Sequence, residues 1–528
     1  MGTKKSKLMK ANEAVRLISD DEVVGFCGAG GGITEPTKVI EALAQRFKEE
    51  QQPKDLTLIH TTGLGDRNDR GMSPLAQQGM IKRVIGGHWA QSPRLAEMAE
   101  RNEIEAYNFP QGVVCHLIRA AASKQPGILT HVGLGTFVDP DQTGGRLNEK
   151  TMDPLVKKQT IDEKEYLFYK TTPLDVAIIR GTTADTDGYI SMEDEIIYAD
   201  ALVMAQAAHN NGGKVIVQVK RVVKAGTIHP RQVKIPGFLV DAIVVDEEQS
   251  QMYVGGVNRF ISGDYTFCSE SSELIPLNQR KVVGRRALFE VSPGDVGNVG
   301  VGIADGIGII AREEGVQDAF TLTVETGAVG GESAQGIFFG ATLNSRALMD
   351  MPAQFDFYDG GGLDVCYLSF AEVDKEGNVN VHRFNGKIVG TGGFVDICQN
   401  TQKVVFCGTL TAGGLKTTIN DQRIKIEQEG RFKKFINRVP EITFNGKDAI
   451  QRGQEVYYVT ERAVFKLTVN GLALIEIAPG VDLERDIVQQ MAFRPKISEP
   501  LSVMDSRLFN EDIMGIKKEW SENQLGGK

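Results

Sequence analysis

The chain has 528 residues, 59 of them glycine, and a formal net charge of −10. Glycine at about 11% against a usual ~7% follows no Gly-X-Y period, which excludes collagen, and 41% apolar with 24% charged residues excludes a disordered chain. The length calls for roughly two to four domains, and 69 acidic against 59 basic residues argue against nucleic acid as the main partner, because neutralising phosphates needs a basic surface.

Residues 1–22 hold no apolar core of signal-peptide length. No run reaches the roughly 18 apolar residues of a membrane span. Gly2 and Ser6 fit the loose myristoylation pattern M-G-x-x-x-[ST], a single lipid chain that anchors only marginally. The six cysteines (Cys27, Cys115, Cys268, Cys366, Cys398 and Cys407) include no C-x-x-C pair. Neither a disulfide framework nor a zinc site is expected, and the histidines are too scattered to suggest another metal. The expectation is a soluble protein of the reducing cytoplasm.

In chain order, DEVVGF (21–26) reads as a strand and runs into a cluster with five glycines in the eight positions 25–32. The helical pattern EPTKVIEALAQRFKEE (35–50) follows. Backbone N–H groups at Gly28, Gly30 and Gly31 can cradle an anion in such a turn; a tight strand-to-helix crossover uses the same glycines. No Lys-Ser or Lys-Thr follows, so this is not a Walker loop. LTLIH (56–60) is the next strand. FPQG (109–112) then places Gln111 in a turn before the helical run VVCHLIRAAA (113–122), where its amide either caps the helix or faces a substrate oxygen. DVAII (175–179), KVIVQV (214–219) and DAIVV (241–245) read as strands.

Beyond a polar stretch at 263–283, G-x-G-x-x-A occurs at Gly306, Gly308 and Ala311, followed by the strand TLTV (321–324) and Glu325. The glutamate lies 19 residues after Gly306, which matches the dinucleotide fingerprint with its ribose-binding acid. An NAD-dependent oxidoreductase is therefore the rival reading. A carboxylate at a strand end also binds hydroxyls, accepts protons or attacks carbonyls, or is simply a solvated loop acid. After the strand DVCYLSF (364–370), RFNGKIVGTGGFVDI (383–397) gathers Gly386, Lys387, Gly390, Gly392, Gly393 and Asp396. A lysine beside closely spaced backbone donors suits a phosphate or a developing oxyanion; a β-turn with an exposed lysine fits as well. KVVFCG (403–408) is a further strand.

The chain is written twice. LDVAIIRGTTADTDGYI from Leu174 matches LDVCYLSFAEVDKEGNV from Leu363 at an offset of 189, which also carries Lys214-Val215-Ile216-Val217 onto Lys403-Val404-Val405-Phe406. DLTLIHTTGLG (55–65) echoes the region of TLTVETGAVG at an offset of 264, setting Thr61 against Glu325. Strands alternating with helices give parallel βαβ units, so the expected fold is α/β, two related open lobes from an internal duplication. The expected divisions are 1–262, a linker at 263–283, and 284–528.

These residues resemble the family I CoA-transferases, above all the bacterial single-chain acetate or propionate enzymes that also use acetoacetyl-CoA. The likeness covers nearly the whole chain and rests on DEVVGFCGAGGGITEP, GLGTFVDP (133–140), FDFYDGGGLDVCYLSFAEVD (355–374), NGKIVGTGGF (385–394), FCGTLTAGG (406–414) and VTERAVF (459–465). The family's S-E-N-G signature here reads V-E-T-G, with Thr326 in place of the asparagine. The resemblance implies Glu325 as a nucleophile carrying a glutamyl-CoA thioester, with Gln111 and the backbone at Gly392 and Gly393 stabilising oxyanions. It implies Lys387, Gly390, Lys416 and the first glycine cluster (Gly28, Gly30, Gly31) as contacts for the CoA tail. It further implies a ping-pong exchange of CoA between short-chain acids, no permanently bound cofactor, and a homotetramer. An acyl-CoA thioesterase remains the other enzymatic alternative.

Overall fold

The computed structural model describes residues 6–267 and 274–526. Gly2, Cys268 and the middle of the expected linker lie outside the described residues. Two sheets dominate, one in each lobe. The amino-terminal sheet has eight strands, all parallel, in the order Leu8–Met9, Ala242–Val245, Lys214–Val219, Val176–Arg180, Val23–Phe26, Leu56–His60, Ile81–Gly86, Glu105–Asn108. The carboxy-terminal sheet has ten. Its parallel centre runs Thr321–Thr323, Val296–Val299, Val365–Ser369, Lys403–Cys407, Glu455–Val459.

The sequence repeat is a repeat of sheet order and register. Lys214 pairs with Val176 in one sheet and Lys403 with Val365 in the other, the same alignment shifted along the chain. The turn after each central strand repeats as well. Asp185 Oδ1 accepts the N–H groups of Asp187 (2.9 Å) and Tyr189 (3.0 Å), and Asp374 Oδ1 those of Glu376 (3.0 Å) and Asn378 (3.1 Å).

The strands are Val- and Ile-rich because both faces are covered. Side chains alternate between the faces with period two. Val176, Ile178 and Ile216 point to the outer cluster beneath the helix Thr37–Glu50, which buries Val39, Ile40, Leu43, Ala44 and Phe47. Ala177, Ile179, Val215 and Val217 point inward, to the helices Gln111–Ala122 and Ala201–Asn210. In the second lobe Val365, Tyr367, Val405 and Cys407 face outward, and Cys366, Leu368, Val404 and Phe406 inward. The inward sets of both lobes join one continuous apolar cluster, through Val113, Phe355, Tyr358 and Phe394. Arg119 seals its edge with paired bonds to Asp356 (2.8 and 2.9 Å).

The first copy carries extra structure after Leu56–His60: two more parallel strands, and an antiparallel sheet of Gly127–Thr130, Lys164–Lys170 and Val156–Ile161. The second copy turns back at once, and short antiparallel strands Ala328–Val329 and Ala347–Leu348 close its edge. Among the described residues no helix is long and apolar enough to cross a membrane. The cysteines within them are unpaired and buried.

Ile178 is completely buried in the middle of the first sheet. Ile178→Ala is expected to lower stability by about 2–5 kcal/mol, read as a fall in the urea unfolding midpoint; an unchanged midpoint would contradict this packing.

Candidate active site

Glu325 sits on a tight turn. Gly327 N–H closes it on Val324 O (2.9 Å), and Val324 N–H donates to Ala328 O (2.9 Å). Gly327 has φ +118°, and a Cβ there would stand 2.1 Å from Met349 O, so only glycine fits. The turn thrusts Glu325 into a cavity of about 220 Å³ between the lobes. Ala29, Gly30, Thr62, His88 and Gln111 wall it from one side, and Thr326, Phe339, Leu368 and the 389–393 loop from the other.

The glutamate is partly open to this cavity, yet its Oε2 is buried with no hydrogen-bond partner. Desolvation pushes its pKa up to about 7, with no cation among the described residues offsetting the lost hydration. Behind it lies a closed polar network: Thr323 Oγ1 and Tyr358 Oη are 2.7 Å apart, and Asn298 donates to Tyr358 Oη (3.1 Å). Thr61, the counterpart of Glu325 in the first copy, is tied down instead, its hydroxyl donating to buried Asp200 (3.0 Å).

Gln111 is the first residue of its helix and is buried. Among the described residues its Nε2 has only the Met351 sulfur, at 3.4 Å, a weak acceptor. Gly393 packs against Glu325: a Cβ there would lie 3.3 Å from Glu325 Cγ. Its N–H makes no hydrogen bond among the described residues. Gly392 differs from the expectation of a free donor, because its N–H is already bonded to Gly87 O (2.8 Å), while its carbonyl accepts from Gln111 N–H (2.9 Å). Its φ of +54° lets the loop bend at this point.

The residues expected at the CoA tail divide. Gly390 lines the cavity and passes so close to His88 that a Cβ would stand 2.9 Å from the His88 Cα. Gly30 lines it too, but the anion cradle does not form as expected. Ala29 and Gly31 donate their N–H groups to Ile33 O and Gly65 O, and the following helix begins only at Thr37. Gly28 accepts from Thr62 Oγ1 through its carbonyl. Lys387 lies outside the cavity walls, paired with Glu100 (3.0 Å). Lys416 is exposed on the hairpin of Lys416–Asn420 and Arg423–Gln428, also away from the cavity. Spacing along the chain does not report which face a loop lysine takes.

The dinucleotide fingerprint does not form a phosphate turn. Gly306 has ordinary right-handed helical angles (φ −76°, ψ −11°), and Gly308 lies inside the helix Ile307–Glu313. Sequence reasoning missed two neighbours of Glu325. Thr326 Oγ1 is buried without a partner on the cavity wall; its place in the signature was the available signal. His88 is held neutral, its pKa pushed down to about 4 by burial. It carried no motif.

The coenzyme A transferase family profile matches residues 8–246. The chain is 60% identical over 510 residues to acetate CoA-transferase YdiF of Escherichia coli K12, covering 96% of both chains. It is 42% identical over 519 residues to caffeate CoA-transferase of Acetobacterium woodii, covering 97% and 99%. The crystal structure of acyl-CoA transferase YdiF from E. coli O157:H7 as a thioester complex with CoA superposes with a TM-score of 0.93 at 58% identity, covering 97% of each chain.

An acid whose folded pKa lies above its unfolded value binds its proton more tightly in the native state. Ionising Glu325 therefore withdraws stability as pH rises from 4.5 toward about 7, and the full penalty stands above that. Glu325→Gln is expected to melt above the wild-type chain at pH 8, with the gap narrowing as pH falls to 4.5. A gap independent of pH would mean that Glu325 is not desolvated.

Proposed function

The chain belongs to the coenzyme A transferase family and is a CoA-transferase; on that premise we propose that it exchanges CoA between short-chain acyl-CoA and free short-chain carboxylates of the acetate, propionate, butyrate and acetoacetate class, through a thioester on Glu325. The observation that carries this reading is the unpartnered carboxylate of Glu325 in the interlobe cavity.

Exchange between two acids is nearly balanced in free energy, so no ATP is needed; the barrier is the weak nucleophilicity of a carboxylate. Glu325 attacks the thioester carbonyl, a C–O bond forms, and the C–S bond breaks to leave an acyl-glutamyl anhydride and CoA thiolate. The thiolate attacks the glutamyl carbonyl and expels the first acid, leaving glutamyl-CoA. The incoming acid reverses both steps, a ping-pong sequence. No proton is gained or lost overall. Desolvation favours attack by removing the hydration that quiets a carboxylate, and the enclosed cavity keeps anhydride and thioester from water.

The Gln111 amide and the Gly393 N–H are the proposed oxyanion donors, because both residues line the cavity and neither group has a strong acceptor among the described residues. One such donor is worth about 3–4 kcal/mol in the transition state. Apolar walls at Phe339, Leu368 and Val389 suit a short acyl chain. One methylene there is worth about 1–3 kcal/mol, so overlapping acid specificity is expected. Binding energy from the long CoA tail holds the reacting atoms together. Gly30 and Gly390 are the proposed backbone neighbours of that substrate, with Lys387 and Lys416 as more remote contacts.

The proposal extends to a lobe division at 1–262 and 284–528, supported by the strands of each large sheet falling within one span. It also includes a homotetramer, checked by light scattering, and a place in the reducing cytoplasm, supported by the buried free thiols.

Acetyl-CoA alone is expected to leave CoA attached to Glu325, found by peptide mass after borohydride reduction; label on another residue overturns the assignment. Glu325→Ala abolishes exchange with the fold intact. Glu325→Asp, one methylene short, falls by about 100-fold or more. Since the attacking form is the carboxylate, kcat/KM for acyl-CoA rises with pH below about 7 and levels off above it. A profile flat from pH 5 to 8 would contradict the raised pKa of Glu325 in the free enzyme.

A further inference from the structure

Asp396 is fully buried, and the exchange as written above does not use it. It is the third residue of the helix Phe394–Asn400, whose N-cap is Gly393. An acid at that position ordinarily serves its own first turn. Here the carboxylate reaches across to the other lobe: Oδ1 accepts the Val113 N–H at 3.2 Å and lies against the Gly112 main chain. The approach is so close that a Cβ on Gly112 would stand 2.6 Å from Asp396 Oδ1.

Gly112 and Val113 follow Gln111 in the first turn of the helix Gln111–Ala122, where backbone N–H groups lack intrahelical acceptors. Pro110, at its N-cap, offers no side-chain acceptor. The cap is supplied in trans. One carboxylate thus stands three residues from Gly393 on its own element and caps the helix that begins with Gln111. The Gln111 N–H bond to Gly392 O (2.9 Å) closes the same loop from the other side.

We infer that Asp396 is a positioning residue for the CoA exchange, fixing the Gln111 amide and the Gly393 N–H relative to each other across the lobe boundary. The inference rests on the reading of those two groups as oxyanion donors. Asp396 does not line the cavity, so it acts on turnover rather than on substrate binding.

The test is steady-state exchange between acetyl-CoA and propionate by the full chain and by Asp396→Ala, Asp396→Asn, Gln111→Ala and the double variant Gln111→Ala/Asp396→Ala, each checked for folding by its melting transition. Gln111→Ala and Asp396→Ala are each expected to lower kcat by about 100-fold with KM within about threefold. Asp396→Asn keeps the acceptor oxygen and stays within about fivefold of wild type. The double variant falls well short of the product of the single losses, because groups acting as a unit are not additive.

Losses that multiply in full overturn the inference, as do Asp396→Asn as impaired as Asp396→Ala, a KM that moves as far as kcat, or an unchanged kcat in Asp396→Ala. If the alanine variant does not fold, Asp396→Ser, whose hydroxyl is too short to reach Val113, takes its place with the same expectations. Failure of the underlying site reading shows separately, as CoA on a residue other than Glu325 in the wild-type chain.

Discussion

The candidate site depends on main-chain hydrogen bonds that cross from one lobe to the other. Val389 O accepts the N–H groups of Trp89 (2.8 Å) and Ala90 (3.0 Å). Gly392 donates to Gly87 and accepts from Gln111, and Asn108 Oδ1 takes the Thr391 N–H (3.1 Å). Such bonds have narrow ranges of length and direction, so together they hold the 389–393 loop against the start of the Gln111 helix. The close approach is bought with glycine. A Cβ on Gly87 would stand 1.9 Å from Thr61 O, and one on Gly390 would meet the backbone of His88 and Trp89 at 2.9 Å.

The duplication is regular in the sheets and broken at the strand end that matters. At equivalent positions Thr61 is buried and bonded to Asp200, while Glu325 stands in the cavity with one oxygen unpaired. An unpartnered carboxylate is unfavourable for the native state. Here the turn closed by Gly327 and the packed inner cluster enforce it. The oxygen without a partner is the one that the proposed attack on a carbonyl would use. His88, kept neutral by burial, adds no competing charge nearby.

The fold was largely legible in the sequence. Val- and Ile-rich runs marked the parallel strands, and the constant offset of 189 residues anticipated that two sheets would share strand order and register. That an acid, Glu325, ends a repeated strand whose counterpart carries Thr61 was legible too. Gln111 stood out by its turn, and Gly393 by its crowded loop. The state of individual N–H groups was not legible. Gly392 and Gly31 look like free donors along the chain and prove to be bonded, to Gly87 O and Gly65 O, through contacts far away in sequence. Lys387 and Lys416 sit beside glycine-rich turns but outside the cavity walls.

The sequence by itself determined the α/β class, the duplication, the family and the place of Glu325 at a strand end, since these depend on residue type, periodicity and local spacing. The tertiary structure decided which donors are free, that Glu325 is desolvated, and that Asp396 caps a helix of the opposite lobe. Each of those is a property of atoms brought together from distant segments. Hydrogen-bond satisfaction and loss of hydration arise only when both lobes have closed around the cavity.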